Sequence, residues 1–159
     1  MSRFIPSGGL LALMACASSA FGQTGAALTS DEILALLPGK VLTYRSDKRP
    51  VGEPTRPTAW VPRSDGSHSI IQFFLRRDRS VTIRCTFVAR DGASQACPGI
   101  AANDVGVWSV ESGALCLQWL TWNSSVKRCY RLRREAERFR AEQVSGGASS
   151  MDGTLVSIK

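Results

Sequence analysis

The chain has 159 residues, 43% of them hydrophobic and 21% charged, with a formal net charge of +7. That length suits one domain with a single core. Sixteen of the 20 basic residues are Arg, the side chain best shaped for bidentate contact with phosphate or carboxylate.

The amino-terminal stretch reads first. Arg3 precedes an apolar run from Leu10 to Ala15, and Ala20-Phe21-Gly22 sets small residues before Gln23. Residues 1–22 therefore read as a secretion signal and 23–159 as the mature domain. The apolar run is too short to span a bilayer, and no later stretch is longer, so no transmembrane segment is expected. Leu13-Met14-Ala15-Cys16 is similar to a bacterial lipobox and offers acylation of Cys16 as a second route. Peptidase cleavage after Gly22 is the preferred one, because Met is unusual before the small residue.

Thr29-Ser30-Asp31-Glu32 opens a helix, with Thr29 as cap and Glu32 three residues on completing a capping box. Ile33, Leu34, Leu36 and Leu37 give it an apolar face and Pro38-Gly39 ends it. At two turns it cannot stand alone and must pack on the sheet or close one end of a barrel. Gly39–Tyr44 is the first predicted strand. Arg45–Pro62, with Pro50, Pro54, Pro57 and Pro62, reads as a long irregular loop. Ser69–Arg76 is a second strand, Arg77-Asp78-Arg79 a tight turn, and Val81–Val88 a third strand. There Val81, Ile83, Cys85 and Phe87 alternate with polar neighbours.

Arg90-Asp91-Gly92 is a hairpin turn whose register sets Cys85 opposite Cys97. Further on, Gly106–Val110, Leu115–Thr121 and Lys127–Arg133 read as strands. A turn at Asn123-Ser124-Ser125 sets Cys116 opposite Cys129. Two local bridges, Cys85–Cys97 and Cys116–Cys129, are thus expected out of three possible connectivities. Arg134–Val144 fits a helix or a strand. The strand is preferred, because a turn at Arg134–Glu137 continues the meander. Ser145–Ser150 is a Gly/Ser turn and Gly153–Ile158 a last strand. The expected fold class is all-β, an antiparallel up-and-down meander of about eight strands. They would form a small barrel or curved sandwich behind one short helix.

The segment Gly106–Leu132 resembles a family of small exported proteobacterial proteins of unknown function. The features shared are the helix Leu28–Gly39, then Gly106 and Trp108, then Leu115, Cys116 and Trp119, and finally Cys129-Tyr130. Asp152-Gly153-Thr154 resembles the turn before that family's closing strand. A weaker likeness is to the barrels of periplasmic metalloprotease inhibitors. The resemblance implies export and a β meander, and brings no mechanism. Cys85 and Cys97 lie outside its pattern.

Candidate chemistry is sparse. His68 is the only histidine and falls in a turn-like stretch, where solvent exposure is the expectation. Without a second histidine or a CxxC spacing there is no metal, haem or redox motif, so no cofactor and no enzymatic activity are expected. Asp31 with Glu32 suits a helix start, and Glu135 with Glu137 balances neighbouring arginines. Trp108 and Trp119 are expected in the core beside the Cys116–Cys129 bridge. Trp122 belongs at a hairpin tip.

These residues lead to an expectation of a periplasmic or secreted bacterial binding module. Its basic face (Arg76, Arg77, Arg79, Arg128, Arg131 and Arg133), with Trp122 as a contact, would meet an anionic envelope component or a protein rather than nucleic acid. A protease inhibitor using Arg45–Pro62 or the mature amino terminus as a plug, or a lipocalin-like carrier of a small ligand, are the alternatives.

Overall fold

A computed structural model of the chain describes residues 25–53, 56–97, 104–120 and 126–159. The secretion signal, Cys16, Trp122 and the 123–125 turn lie outside the described residues.

A short helix α1 (Ser30–Leu36) leads into β1 (Lys40–Ser46), β2 (Lys48–Glu53), β3 (Arg56–Pro62), β4 (His68–Leu75) and β5 (Ser80–Val88). Then come β6 (Ser94–Ala96), β7 (Val105–Glu111), β8 (Ala114–Trp119), β9 (Arg128–Glu135), β10 (Arg138–Ser145) and β11 (Thr154–Ile158). Eight of these strands close an antiparallel barrel in the order β1-β4-β5-β7-β8-β9-β10-β11, with β11 pairing back onto β1. Each barrel strand thus lies beside its neighbours in the meander, as expected.

Alternation fixes which side chains fill the interior. On β4 the buried residues are Ser69, Ile71, Phe73 and Leu75, and on β5 Val81, Ile83 and Cys85. An eight-stranded barrel is just wide enough to be filled by such side chains or to hold one small ligand. Arg134–Val144 takes the strand reading: β9 and β10 pair across a tight turn in which Ala136 adopts φ 51°.

The predicted helix forms with its capping box intact. The Glu32 amide donates to Thr29 Oγ1 at 3.3 Å, and the Thr29 amide donates to a Glu32 carboxylate oxygen at 2.7 Å. Ile33 and Leu37 are fully buried, while Leu34, expected on the same face, is 36% exposed because it points away from the barrel. The helix rests on β7 and β8 and closes one end of the barrel. Each fully buried aliphatic side chain there contributes about 1.5–3 kcal/mol. Just before the helix, the chain runs along the end of β9: the Leu28 amide donates to the Leu132 carbonyl at 2.8 Å, and the Arg134 amide to the Ala26 carbonyl at 3.0 Å.

Two expectations need correction. Arg45–Pro62 is not an irregular loop but contains the antiparallel hairpin β2–β3, a two-stranded sheet apart from the barrel. Proline is tolerated because both strands are edges, where a missing amide donor removes no interior ladder bond. His68 is not in a loop; it starts β4 opposite Val88, half-buried, with its Nδ1 buried and without a partner among the described residues. Pairing with β5 extends β4 back to this residue.

Both predicted bridges are present, with Cα–Cα separations of 5.4 Å for Cys85–Cys97 and 4.0 Å for Cys116–Cys129. The registers are those expected: Thr86 faces Ala96, and Cys116 faces Cys129. The bridges differ in placement. Cys85 and Cys97 belong to the main core, whereas Cys116 and Cys129 form a separate small cluster with Ala114. On β8 the inward side chains are Leu115, Leu117 and Trp119, so period two turns Cys116 outward. Trp108 and Trp119 do fill the core, at 2% exposure each, but Trp119 and the second bridge lie on opposite faces of β8.

Candidate functional site: the open end of the barrel

The strand directions sort the connections between two ends. The α1 end carries the β4–β5, β7–β8 and β9–β10 turns. The opposite end carries the β2–β3 hairpin, β6 and the 146–153 connection. These long insertions surround the barrel mouth.

Part of the mouth is closed by the 146–153 connection. Ser150 and Met151 are buried. The Ser150 hydroxyl is 3.1 Å from that of Tyr44, and the Ser149 hydroxyl 2.6 Å from that of Tyr130. Burial pushes both phenols up, Tyr130 to about 12. Arg128 also points inward here. It is 4% exposed, its Nε donates to the Gly147 carbonyl at 3.3 Å, and desolvation lowers its pKa. Gly146, at φ 90°, lets the connection approach this closely, because a Cβ there would meet the Arg128 side chain at 2.6 Å.

Beside that closure a cavity of about 260 Å³ remains. It is slightly smaller than the roughly 300 Å³ at which pockets for drug-sized ligands begin. Tyr44, Ile71, Ile83 and Cys85 from the barrel strands line it below. Pro50 and Trp60 come from the β2–β3 hairpin, and Phe87, Gln95 and Cys97 from the β5–β6 side. The Cys85–Cys97 bridge is thus part of the wall. Trp60 Nε1 is buried and has no acceptor among the described residues.

Polar groups converge at one side: Lys48, Arg63, Ser46, Ser69 and Ser150, with no carboxylate among the lining residues. Arg63 is oriented by neutral oxygens. Its Nε donates to the Lys48 carbonyl at 3.2 Å, Nη1 to Ser67 Oγ at 3.4 Å and Nη2 to Ser69 Oγ at 3.3 Å. Its guanidinium carbon lies 4.9 Å from the Phe87 ring centroid. The nearby Asp65 is occupied with the Ser67 amide and hydroxyl, which hold its pKa below the ordinary 3.8. Lys48 Nζ donates to the Asp152 carbonyl at 3.1 Å. Neither cation takes part in any of the ion pairs among the described residues.

The predicted binding residues are not brought together at this site. Arg76, Arg77 and Arg79 are exposed at the β4–β5 turn, at the α1 end. Arg131 and Arg133 lie on the outer face of β9, and Arg133 is paired with Glu142 at 2.7 Å. Arg128 does not join them on the surface, because alternation along β9 turns it inward with Tyr130 and Leu132. The arginines of β9 and β10 are interleaved with acids, Glu135 holding Arg140 at 2.9 Å, so they form no continuous basic face. Among the described residues, one cluster has metal-ligand types, Glu111 with Cys116 and Cys129. Its sulfurs are joined in the bridge, and the Glu111 carboxylate accepts from Lys127 Nζ at 2.7 Å.

The cavity residues that sequence reasoning missed, Lys48, Trp60 and Arg63, come from the proline-rich segment and the residue after it. The signal that could have found them is the apolar run Ala59-Trp60-Val61 within the proline-rich segment, which the hairpin sets opposite Arg49-Pro50-Val51, Pro50 facing Trp60 and Val51 facing Ala59.

Comparison of the chain with family models, with curated proteins and with solved structures finds no match to any of the three. The site stands on its own geometry. Two disulfides are compatible with an oxidising compartment, and among the described residues no helix is long and apolar enough to cross a membrane.

Proposed function

We propose that the protein is an exported, non-enzymatic carrier of a small amphipathic anion. The observation that carries this reading is the cavity at the barrel mouth, apolar on most sides, with Arg63 and Lys48 on one side and no acid among the described residues that line it. An apolar body would displace water from beside Ile71, Ile83 and Phe87. A carboxylate or phosphate head would accept from Arg63, which is already oriented and so loses little freedom on binding. The cavity volume limits the ligand to a medium-chain fatty acid or a single-ring aromatic acid.

The leader-like residues 1–22, the two bridges and the resemblance to small exported proteobacterial proteins support a periplasmic or secreted setting. An inhibitor with Arg45–Pro62 as its plug is not favoured, since that segment is folded into the β2–β3 hairpin.

Tryptophan-fluorescence titration with decanoate, and with decanol as its neutral analogue, tests the proposal. Decanoate should bind saturably and at least about tenfold more tightly than decanol, the factor expected for one hydrogen bond to a charged group. Arg63→Gln should remove that preference. Equal binding of the two compounds, or no saturable binding, would overturn it.

A further inference from the structure

At the other end of the molecule the surface has a different character. Lys40, at the start of β1, and Arg76, Arg77, Arg79 and Arg84, around the β4–β5 turn, are all exposed. Lys40, Arg76 and Arg84 line a shallow groove on the outer face of the barrel, floored by Val41, Phe74 and Thr82. Gly39 brings Arg77 to the same place, since a Cβ at 39 would lie 3.7 Å from the Arg77 Nε.

These cations outnumber the one acid in their turn, Asp78. None belongs to an ion pair among the described residues. The acid within the turn, Asp78, is exposed; the Ser80 hydrogen bonds first, and the charge of Arg76 to a smaller extent, hold its pKa below the ordinary 3.8. One of its oxygens accepts from the Ser80 amide at 2.9 Å and the Ser80 hydroxyl at 2.6 Å.

Two of the guanidiniums are also held in place by aromatic faces. Arg79 lies 4.2 Å from the ring centroid of Trp108, and Arg84 5.5 Å from that of Phe74. The turn itself is anchored. Trp108 Nε1 donates to the Arg76 carbonyl at 2.9 Å, and the Trp108 amide to the Arg79 carbonyl at 2.8 Å. Stacking and anchoring reduce the entropy these long side chains would lose on meeting a partner. The contrast with β9 and β10 is informative. There Arg133 is held by Glu142 and Arg140 by Glu135, whereas in residues 76–84 Asp78 is one acid among four arginines.

From this predominantly basic, partly immobilised array we infer that the β4–β5 corner of the barrel docks on an anionic bilayer surface, through contacts of Lys40, Arg76, Arg77 and Arg84 with lipid phosphates. A phosphate-bearing surface offers many acceptors in a plane, which suits cations spread over a strand end, a turn and an outer face. The groove admits one head group between Lys40, Arg76 and Arg84. The contact is peripheral and leaves the barrel mouth facing away from the lipid. It does not depend on the cavity's having a ligand.

Co-sedimentation of the full chain with vesicles tests it, using phosphatidylcholine alone or with about a third phosphatidylglycerol. Binding is expected to the anionic vesicles only and to weaken steeply as salt shortens the screening length. The triple variant Arg76→Gln/Arg77→Gln/Arg84→Gln should bind about a hundredfold more weakly, from roughly fivefold per basic residue. Lys at the same three positions should retain binding, which separates loss of charge from loss of fold. Arg63→Gln should bind vesicles as the parent does. Equal binding to neutral vesicles, no binding to anionic ones, an unaffected triple variant, or loss in Arg63→Gln alone would each overturn the inference. So would tighter binding to soluble inorganic polyphosphate than to vesicles at matched phosphate, since the partner would then not be a bilayer.

Discussion

Gly106 on β7 lies directly opposite Trp119 on β8, and the indole occupies the space a side chain at 106 would need. A Cβ built on Gly106 would collide with the Gln118 carbonyl oxygen and meet Trp119 Cε3 at 3.0 Å. Gly106 is not among the positive-φ glycines, so room rather than torsion makes glycine necessary here. Gly106→Ala should therefore destabilise the protein by about 1–3 kcal/mol, the usual cost of overpacking a filled core. Urea denaturation followed by tryptophan fluorescence measures this. An unchanged midpoint would mean that β7 and β8 can move apart without loss.

The two disulfides should separate stability from binding. Each closes a loop of similar length, with sequence separations of 12 and 13. Replacing either pair by Ser should cost about 3 kcal/mol by loop-closure entropy. Only Cys85 and Cys97 line the mouth cavity, where they hold the three-residue strand β6 against β5. Cys85→Ser/Cys97→Ser should therefore weaken decanoate binding severalfold at temperatures where the barrel is still folded. Cys116→Ser/Cys129→Ser should melt earlier yet bind as the parent does. Equal losses of binding in the two variants would show that the cavity responds to global stability rather than to its wall.

What could be read in the sequence was local. The capping box at Thr29, the alternation of Val81, Ile83 and Cys85, and the turn that aligns Cys85 with Cys97 each depend on a few neighbouring residues. Closure of the barrel could not be read that way, because β11 meets β1 through pairs such as Leu42 with Ile158 that no local signal announces. The candidate site was hidden for a second reason. Four prolines between residues 50 and 62 suppress a strand reading, although prolines on a free edge do not forbid one. Counting arginines was also a poor guide to the surface. The count cannot tell the inward Arg128 and the paired Arg133 from the exposed Arg76 and Arg77, which join no ion pair among the described residues.

The capping box offers a clean local test. Thr29→Ala removes the acceptor for the Glu32 amide and leaves α1 with an unpaired donor. A loss of about 1 kcal/mol is expected. The helix closes the α1 end through Ile33 and Leu37, so amide hydrogen exchange should rise in residues 30–37 first. Exchange that rises uniformly over all strands instead would mean that the helix and barrel open as one unit.

The pH dependence of stability should show a broad plateau with two limbs of different origin. Glu32, Glu111 and Glu135 are held below the ordinary 4.5 by hydrogen bonds from Thr29, Lys127 and Arg140 respectively. A carboxylate depressed on folding contributes stability that is complete above its unfolded value and is lost as pH falls through its folded one. The acid limb therefore begins below about pH 5 and is shallow, since these groups lie at the surface. The alkaline limb runs the other way. Burial raises Tyr44 and Tyr130 above the ordinary 10.0, Tyr130 to about 12. A group raised on folding contributes stability that is complete below its unfolded value and is lost as pH rises through its folded one. Stability should thus start to fall near pH 10 as the unfolded phenols ionise. Melting temperatures across the pH range check both limbs. Tyr44→Phe and Tyr130→Phe should each flatten the alkaline side, and Glu135→Gln should make the acid side shallower. A steep alkaline limb that survives both Phe variants would assign it to groups other than the buried Tyr44 and Tyr130.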